Sequence, residues 1–83
     1  MESITVFVLI VELLAGVIQW TPDGLGVIPG VGVHYEYIGN GKIKFSPDTF
    51  ETYEECKRIE QAVLKQFVGV VKTTGCVARK QER

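Results

Sequence analysis

The sequence predicts an α+β fold: a mainly antiparallel sheet, made of an N-terminal strand, a hairpin and a C-terminal strand, with one helix packed on one face. Three observations support this prediction. Residues 4–11 are β-branched and apolar, residues 33–45 alternate in polarity around a Gly-Asn-Gly turn, and residues 52–67 repeat apolar side chains at helical spacing. The 83 residues are expected to form a single domain, 1–83, because neither half is long enough to bury a core alone.

Residues 3–22 are the most apolar part of the chain. The β-branched and aromatic side chains from Ile4 to Val11 favour a strand. Two alternatives stay open, a signal or membrane anchor and a buried soluble helix. Glu12 interrupts the apolar run and no Lys or Arg flanks it, which argues against a signal and a membrane span. Both faces of the strand are apolar, so we expect it to be central or covered by a partner chain.

A glycine-rich loop is predicted next, from the turn predicted at Thr21–Gly24 to about residue 32. Phosphate binding is not expected there, because no Gly-Lys-Ser/Thr comes after it and Pro29 lacks the amide donor that a phosphate loop needs. The segment is also apolar. Its large side chains either fold over the edge of the sheet or form part of a contact surface: Leu25, Val27, Ile28 and Val31.

The hairpin has two possible registers. A two-residue Asn40-Gly41 turn would place Tyr37 opposite Lys44. A three-residue loop, with Gly41 left-handed in a bulge, gives the more consistent pattern and is the one predicted. In this register three pairs of residues lie opposite one another: Tyr37 and Ile43, Glu36 and Lys44, and Tyr35 and Phe45.

The helix is predicted to begin after Thr52, which forms a capping box with Glu55, and to end between Phe67 and Gly69. Its apolar stripe is predicted to be Tyr53, Cys56, Ile59, Val63 and Phe67, with polar side chains, Glu60 among them, on the remaining surface. A closing strand is expected over residues 70–78. The tail, residues 79–83, is expected to be a solvated terminus.

The two cysteines, Cys56 on the helix and Cys76 on the closing strand, are predicted to form a disulfide. This bond closes a loop of about 20 residues and would contribute roughly 3 kcal/mol to stability. The alternative is a pair of buried free thiols in a reducing compartment.

Six residues carry a resemblance to a known group of proteins: Phe50, Thr52 and Cys56 at the start of the helix, and Gly75, Cys76 and Val77 in the closing strand. The pattern resembles small two-cysteine proteins of phage and bacterial genomes, most of which have no established function. It covers about a third of the chain. The resemblance implies an α+β fold with a helix-to-strand disulfide, and it implies no catalytic residue.

Composition excludes several classes of function. The net charge is −1, divided into −4 over residues 1–41 and +3 over residues 42–83, which gives no overall electrostatic case for nucleic-acid binding. One His and two Cys cannot form a four-cysteine or Cys₂His₂ zinc site. We find no nucleophile–base pair or metal-ligand set in the sequence. We therefore expect no catalytic residue, metal, cofactor, nucleic acid or small-molecule substrate.

We expect the chain to be a non-enzymatic protein that acts in protein–protein interaction or as a structural accessory protein. If it is viral, it would be a virion component or a modulator of a host protein. The partner is a protein or a second copy of the chain, and the location is the cytoplasm or a virion in preference to secretion. The alternative is a secreted or periplasmic disulfide-stapled protein with an N-terminal signal or membrane anchor. The expected interface consists of apolar residues of the first third of the chain: Ile4, Val6, Val8, Ile10, Trp20, Leu25, Val27 and Ile28.

Overall fold

The computed structural model describes residues 2–14 and 25–82. Six strands and one helix succeed one another along these residues: β1 (Ser3–Leu13), β2 (Leu25–Ile28), β3 (Val33–Gly39), β4 (Lys42–Ser46), β5 (Thr49–Phe50), α1 (Tyr53–Gln66) and β6 (Val71–Glu82). The strands form one antiparallel sheet and α1 packs on one of its faces. The predicted α+β fold is therefore confirmed. Residues 15–24, with Trp20 and the turn predicted at Thr21–Gly24, lie outside the described part of the chain.

Strand β1 is the centre of the sheet. One of its edges pairs with β4 near Glu12 and with β5 at Phe7 and Val8. Its other edge pairs with β6 along the whole strand, from Ser3 opposite Glu82 to Leu13 opposite the first residue of β6. Strands β2, β3 and β4 continue the sheet outward from the first of these edges. This central place agrees with the expectation from a strand that is apolar on both faces.

The β3–β4 hairpin has the predicted register. Tyr35 lies opposite Phe45 and Glu36 lies opposite Lys44. The turn differs from the prediction, because Asn40 and Gly41 form a two-residue turn with φ of 55° and 76°, as a type I′ turn requires. An irregularity between Tyr37 and Gly39 then shifts the pairing by one residue and restores the predicted register.

Helix α1 begins as the capping box predicts, since the amide of Glu55 donates to the Thr52 hydroxyl at 3.1 Å. Its buried residues Cys56, Ile59 and Val63 face the sheet. Tyr53, which we expected in the buried stripe, is half-exposed, and its ring meets Phe7 edge to face with centroids 5.8 Å apart. The stripe thus becomes fully buried only after the first turn.

The core lies between α1 and the sheet face formed by alternate residues of β1, including Leu9, Val11 and Leu13. At the β2–β3 end of this core, the Tyr35 ring meets Phe67 edge to face, with centroids 5.1 Å apart. The same phenol lies directly over Gly26, where a β-carbon would overlap it. Gly26 is therefore the position that lets an aromatic ring close the core at the edge of the sheet.

Two expectations about strand length were wrong. The closing strand runs to Glu82, so Arg79 and Lys80 belong to the sheet and not to a solvated tail. The glycine-rich segment contains a strand, β2, which pairs with β3 from Leu25 to Ile28. In both places the backbone pairs with a neighbouring strand although the side chains are largely exposed.

Candidate functional site: the sheet face opposite the helix

The sheet has a second face, on the side away from α1, which we call the distal face. Residues directly opposite one another in paired strands share a face, and alternate residues of one strand lie on opposite faces. Because Leu9 and Val11 face the helix, the even-numbered residues of β1 lie on the distal face. The pairing then places these residues on it: Ile4, Val6, Val8, Ile10 and Glu12 from β1, Val77 and Arg79 from β6, His34 and Glu36 from β3, Lys42 and Lys44 from β4, and Leu25 and Val27 from β2. Ile38, which the β3–β4 register leaves without an opposite residue, lines a depression together with Ile10 and so lies on this face as well.

Most of the exposed apolar surface of the described residues lies on this face. Ile10 is 46% exposed, Ile38 is 57% exposed and Val77 is 48% exposed. Leu25 and Val27 add two further half-exposed side chains at the β2 end. Large apolar side chains that stay half-exposed on one sheet face are typical of a surface that contacts another protein.

The expected interface residues are therefore divided. Ile4, Val6, Val8 and Ile10 share the distal face, as do Leu25 and Val27, but Val6 and Val8 are buried and Ile4 is partly exposed. Ile28 points the other way, into the core between sheet and helix, where it has no exposed surface. Ile28 thus cannot contact a partner while the fold is intact. Ile38 and Val77 also belong to this face but were not among the expected interface residues, although their alternation with Tyr37 and Cys76 is visible in the sequence.

A shallow depression of about 350 Å³ lies beside Ile10 on the distal face. Ile38 lines it from β3, and Thr73 lines it from β6. Glu12 and Lys42, which are directly opposed in the β1–β4 pair, supply one negative and one positive charge at its rim. The depression is thus apolar with a charge-balanced border, which fits an apolar side chain of a partner better than a charged ligand.

Cys56 and Cys76 form a disulfide, with their α-carbons 6.2 Å apart, as was predicted for this pair. Cys56 is fully buried on α1, and Cys76 lies directly opposite Leu9 in the β1–β6 pair. The bond therefore joins the helix to the edge strand across the core. It restrains β6, one side of the candidate interface, against the rest of the domain.

Glu60 is also placed differently from the prediction. It was expected on the solvated face of α1, but only 3% of it is exposed. Lys57 Nζ lies 2.5 Å from its Oε1, one helical turn away. Glu60 comes four residues after Cys56, so it lies beside the buried stripe, and this spacing was the available signal.

The charge state of Glu60 is set by these neighbours. Burial by itself raises the pKa of its carboxyl group, but hydrogen bonds from Lys57 and Thr74 and the charge of Lys57 outweigh burial, so the pKa lies below its ordinary value. The same hydrogen bond from Lys57 to Glu60 raises the pKa of Lys57. Because Thr74 belongs to β6, the carboxylate is a second link, besides the disulfide, between α1 and this strand.

Two further surface features carry polar groups, the exposed His34 and a depression beside α1. His34 is exposed on the distal face, opposite Ser46 in the β3–β4 pair. A larger depression of about 500 Å³ lies on the helix side, between Pro29 and the last turns of α1, with Arg58 and Lys65 at its rim. Within residues 2–14 and 25–82, no group of three or more His, Cys, Asp or Glu could hold a metal ion.

In the part of the chain that the structure describes, no helix is both long enough and apolar enough to cross a membrane. Comparisons with protein-family models, with curated proteins and with solved structures found no match for this chain. The similarity of Phe50, Thr52, Cys56 and residues 75–77 to small two-cysteine proteins therefore remains a resemblance of sequence. The function of the chain has to be inferred from the chemistry of its distal face.

Proposed function

We propose that this protein is a non-enzymatic interaction protein that associates with a second copy of itself. The exposed apolar side chains of the distal face, above all Ile10, Ile38 and Val77, support the proposal. The helix covers one face of the sheet within the chain, and the apolar side chains left half-exposed on the other face lose contact with water where another molecule packs beside them. A second copy is the simplest such partner, because a two-fold axis provides a matching surface by symmetry.

The viral setting expected from the sequence, a virion component or a modulator of a host protein, is part of this proposal. Both roles need a small stable domain with a protein-binding surface and no chemistry of its own. The disulfide favours the alternative setting, an oxidising compartment outside the cytoplasm. In that setting residues 3–13 must stay in the mature chain, because they form the strand with which β4, β5 and β6 pair.

Sedimentation equilibrium over micromolar to hundred-micromolar concentrations tests self-association. We expect a species heavier than the 9.2 kDa chain, with a mass that rises with concentration. Val77→Lys is expected to shift this equilibrium toward monomer, since it places a charge on the proposed contact surface.

Val68→Lys is the matched control. Val68 is more exposed than Val77 but lies after the end of α1, away from the distal face, so its replacement is expected to leave the association unchanged. Circular dichroism of both variants establishes that they fold. A 9.2 kDa species at every concentration, without binding of a dye for apolar surfaces, would contradict the proposal.

A further inference from the structure

Among the residues that the structure describes, β6 is a long edge strand of the sheet. It pairs with β1 through all of Ser3–Leu13, and it pairs with no other strand among the residues that the structure describes. Within Val71–Glu82, alternate residues therefore direct their backbone N–H and C=O groups to the outer edge, where another chain can bond to them. Natural sheets protect such edges or use them to pair with another strand.

We propose that two copies of the protein pair through β6, antiparallel, about a two-fold axis at Val77, and so join their sheets into one. This inference rests on the proposed self-association and names the contact that produces it. The axis stands perpendicular to the sheet, so both helices lie on one side and both distal faces lie on the other. Ile10 and Val77 of the two copies then form one continuous apolar strip.

The charges of β6 select this register. Glu82 is the only acidic residue of the strand, and its basic residues are Lys72, Arg79 and Lys80. Counted outward from Val77 in an antiparallel self-pair, Lys72 of each copy comes level with Glu82 of the other. Lys72 is the residue that the β1–β6 register skips, so no residue of β1 lies opposite it. Every other register that pairs at least eight residues leaves Glu82 opposite an uncharged residue. Opposite charges directly across a strand pair stabilise it, and the two-fold axis supplies this pair twice.

The side chains at the centre also fit. Val77, half-exposed in the single chain, meets its own copy at the axis, where it becomes covered. Two residues away, Arg79 lies opposite Gly75 of the second copy. The space above Gly75 is open, since a β-carbon there would meet nothing within 4 Å, so it can receive the Arg79 side chain.

Charge exchange at Lys72 and Glu82 tests the register. Each of the variants Lys72→Glu and Glu82→Lys places like charges opposite one another twice in its own dimer, and we expect the dissociation constant to rise by about ten-fold at about 0.1 M salt. An equimolar mixture of the two variants pairs Glu with Lys at both ends, so its association should return to near the wild-type value. The double variant Lys72→Glu/Glu82→Lys should associate like the wild type.

A direct interaction between residues 72 and 82 of the same chain could not produce this recovery of association. Residues 72 and 82 are separated by ten residues of extended strand, which is about 33 Å and several Debye lengths. Both side chains are exposed, so the substitutions are expected to leave the fold unchanged, which circular dichroism checks. Lys65→Glu, on α1 and away from β6, is the control for the change in net charge.

Sedimentation equilibrium of each variant alone and of the mixture provides the measurement. Weakened association of the single variants, with recovery in the mixture and in the double variant, is the expected result. Association that persists unchanged in both single variants would overturn the β6 contact and leave self-association through another surface. A wild-type chain that stays at 9.2 kDa would overturn both proposals.

Discussion

Reduction of the Cys56–Cys76 disulfide is expected to lower the free energy of unfolding by about 3 kcal/mol. The bond joins residues separated by 20 positions. In the chain-entropy treatment, a loop of that length removes about 11 cal/mol/K from the unfolded chain, which is about 3.3 kcal/mol at 25 °C. A domain of this size has a total stability of roughly 4–12 kcal/mol. The crosslink therefore supplies a quarter or more of the stability.

The native contacts should survive reduction, because Cys56 is fully buried among apolar side chains and a thiol packs there as a small apolar group. The assay is urea unfolding, monitored by circular dichroism, with and without a thiol reductant. The midpoint should fall with reductant, and the melting temperature should fall by about 12–24 °C. In the variant Cys56→Ala/Cys76→Ala the reductant should have no effect.

Two results would refute this reasoning. Titration of the unfolded, unreduced protein could find two reactive thiols, which would mean that the bond is absent. Alternatively, the bond could be present and its reduction could leave the urea midpoint unchanged, which would mean that the unfolded chain is already restricted over residues 56–76.

Two further predictions concern single side chains. As the pH falls below 4.5, the wild-type protein should lose more stability than the variant Glu60→Gln. A carboxylate whose folded pKa lies below its ordinary value stabilises the fold at higher pH and loses this contribution when it is protonated. Urea unfolding at neutral pH and at about pH 3 compares the two proteins, and parallel losses would contradict the stabilising role of the carboxylate. Gly41→Ala should lower the free energy of unfolding by at least about 1 kcal/mol more than Gly30→Ala does. Both positions have positive φ, but only a β-carbon at Gly41 would overlap the backbone carbonyl of Leu13. Equal urea midpoints for the two variants would show that the strand ends can move apart.

The elements that were predicted well are those whose cause lies within a few residues. The capping box at Thr52 and the alternation around Asn40 depend only on neighbouring side chains, and both gave the right element and register. Strand β5 has only two residues, Thr49 and Phe50, and exists because β1 pairs with it. A pattern of side chains cannot show a pairing that comes from the backbone of a distant strand.

The same reason explains what was missed at the candidate site. Alternation in β1 correctly indicated that Ile10 and its even-numbered neighbours share a face. Ile28 was placed in the interface because the register of β2 depends on its pairing with β3, which the glycine-rich sequence does not reveal. Glu60 is buried and its carboxylate accepts a hydrogen bond from Thr74 of β6, and both depend on how helix and sheet pack.

The pairing of β1 with β6 has a consequence for synthesis of the chain on the ribosome. β1 is made first, and the strand that covers its whole second edge is made last, with 57 residues between Leu13 and Val71. At about 5–20 residues per second, translation leaves that edge uncovered for roughly 3–12 s. During this interval the most apolar strand of the protein is exposed to other nascent chains. Chaperones that bind extended apolar segments would therefore meet β1 before its own partner does.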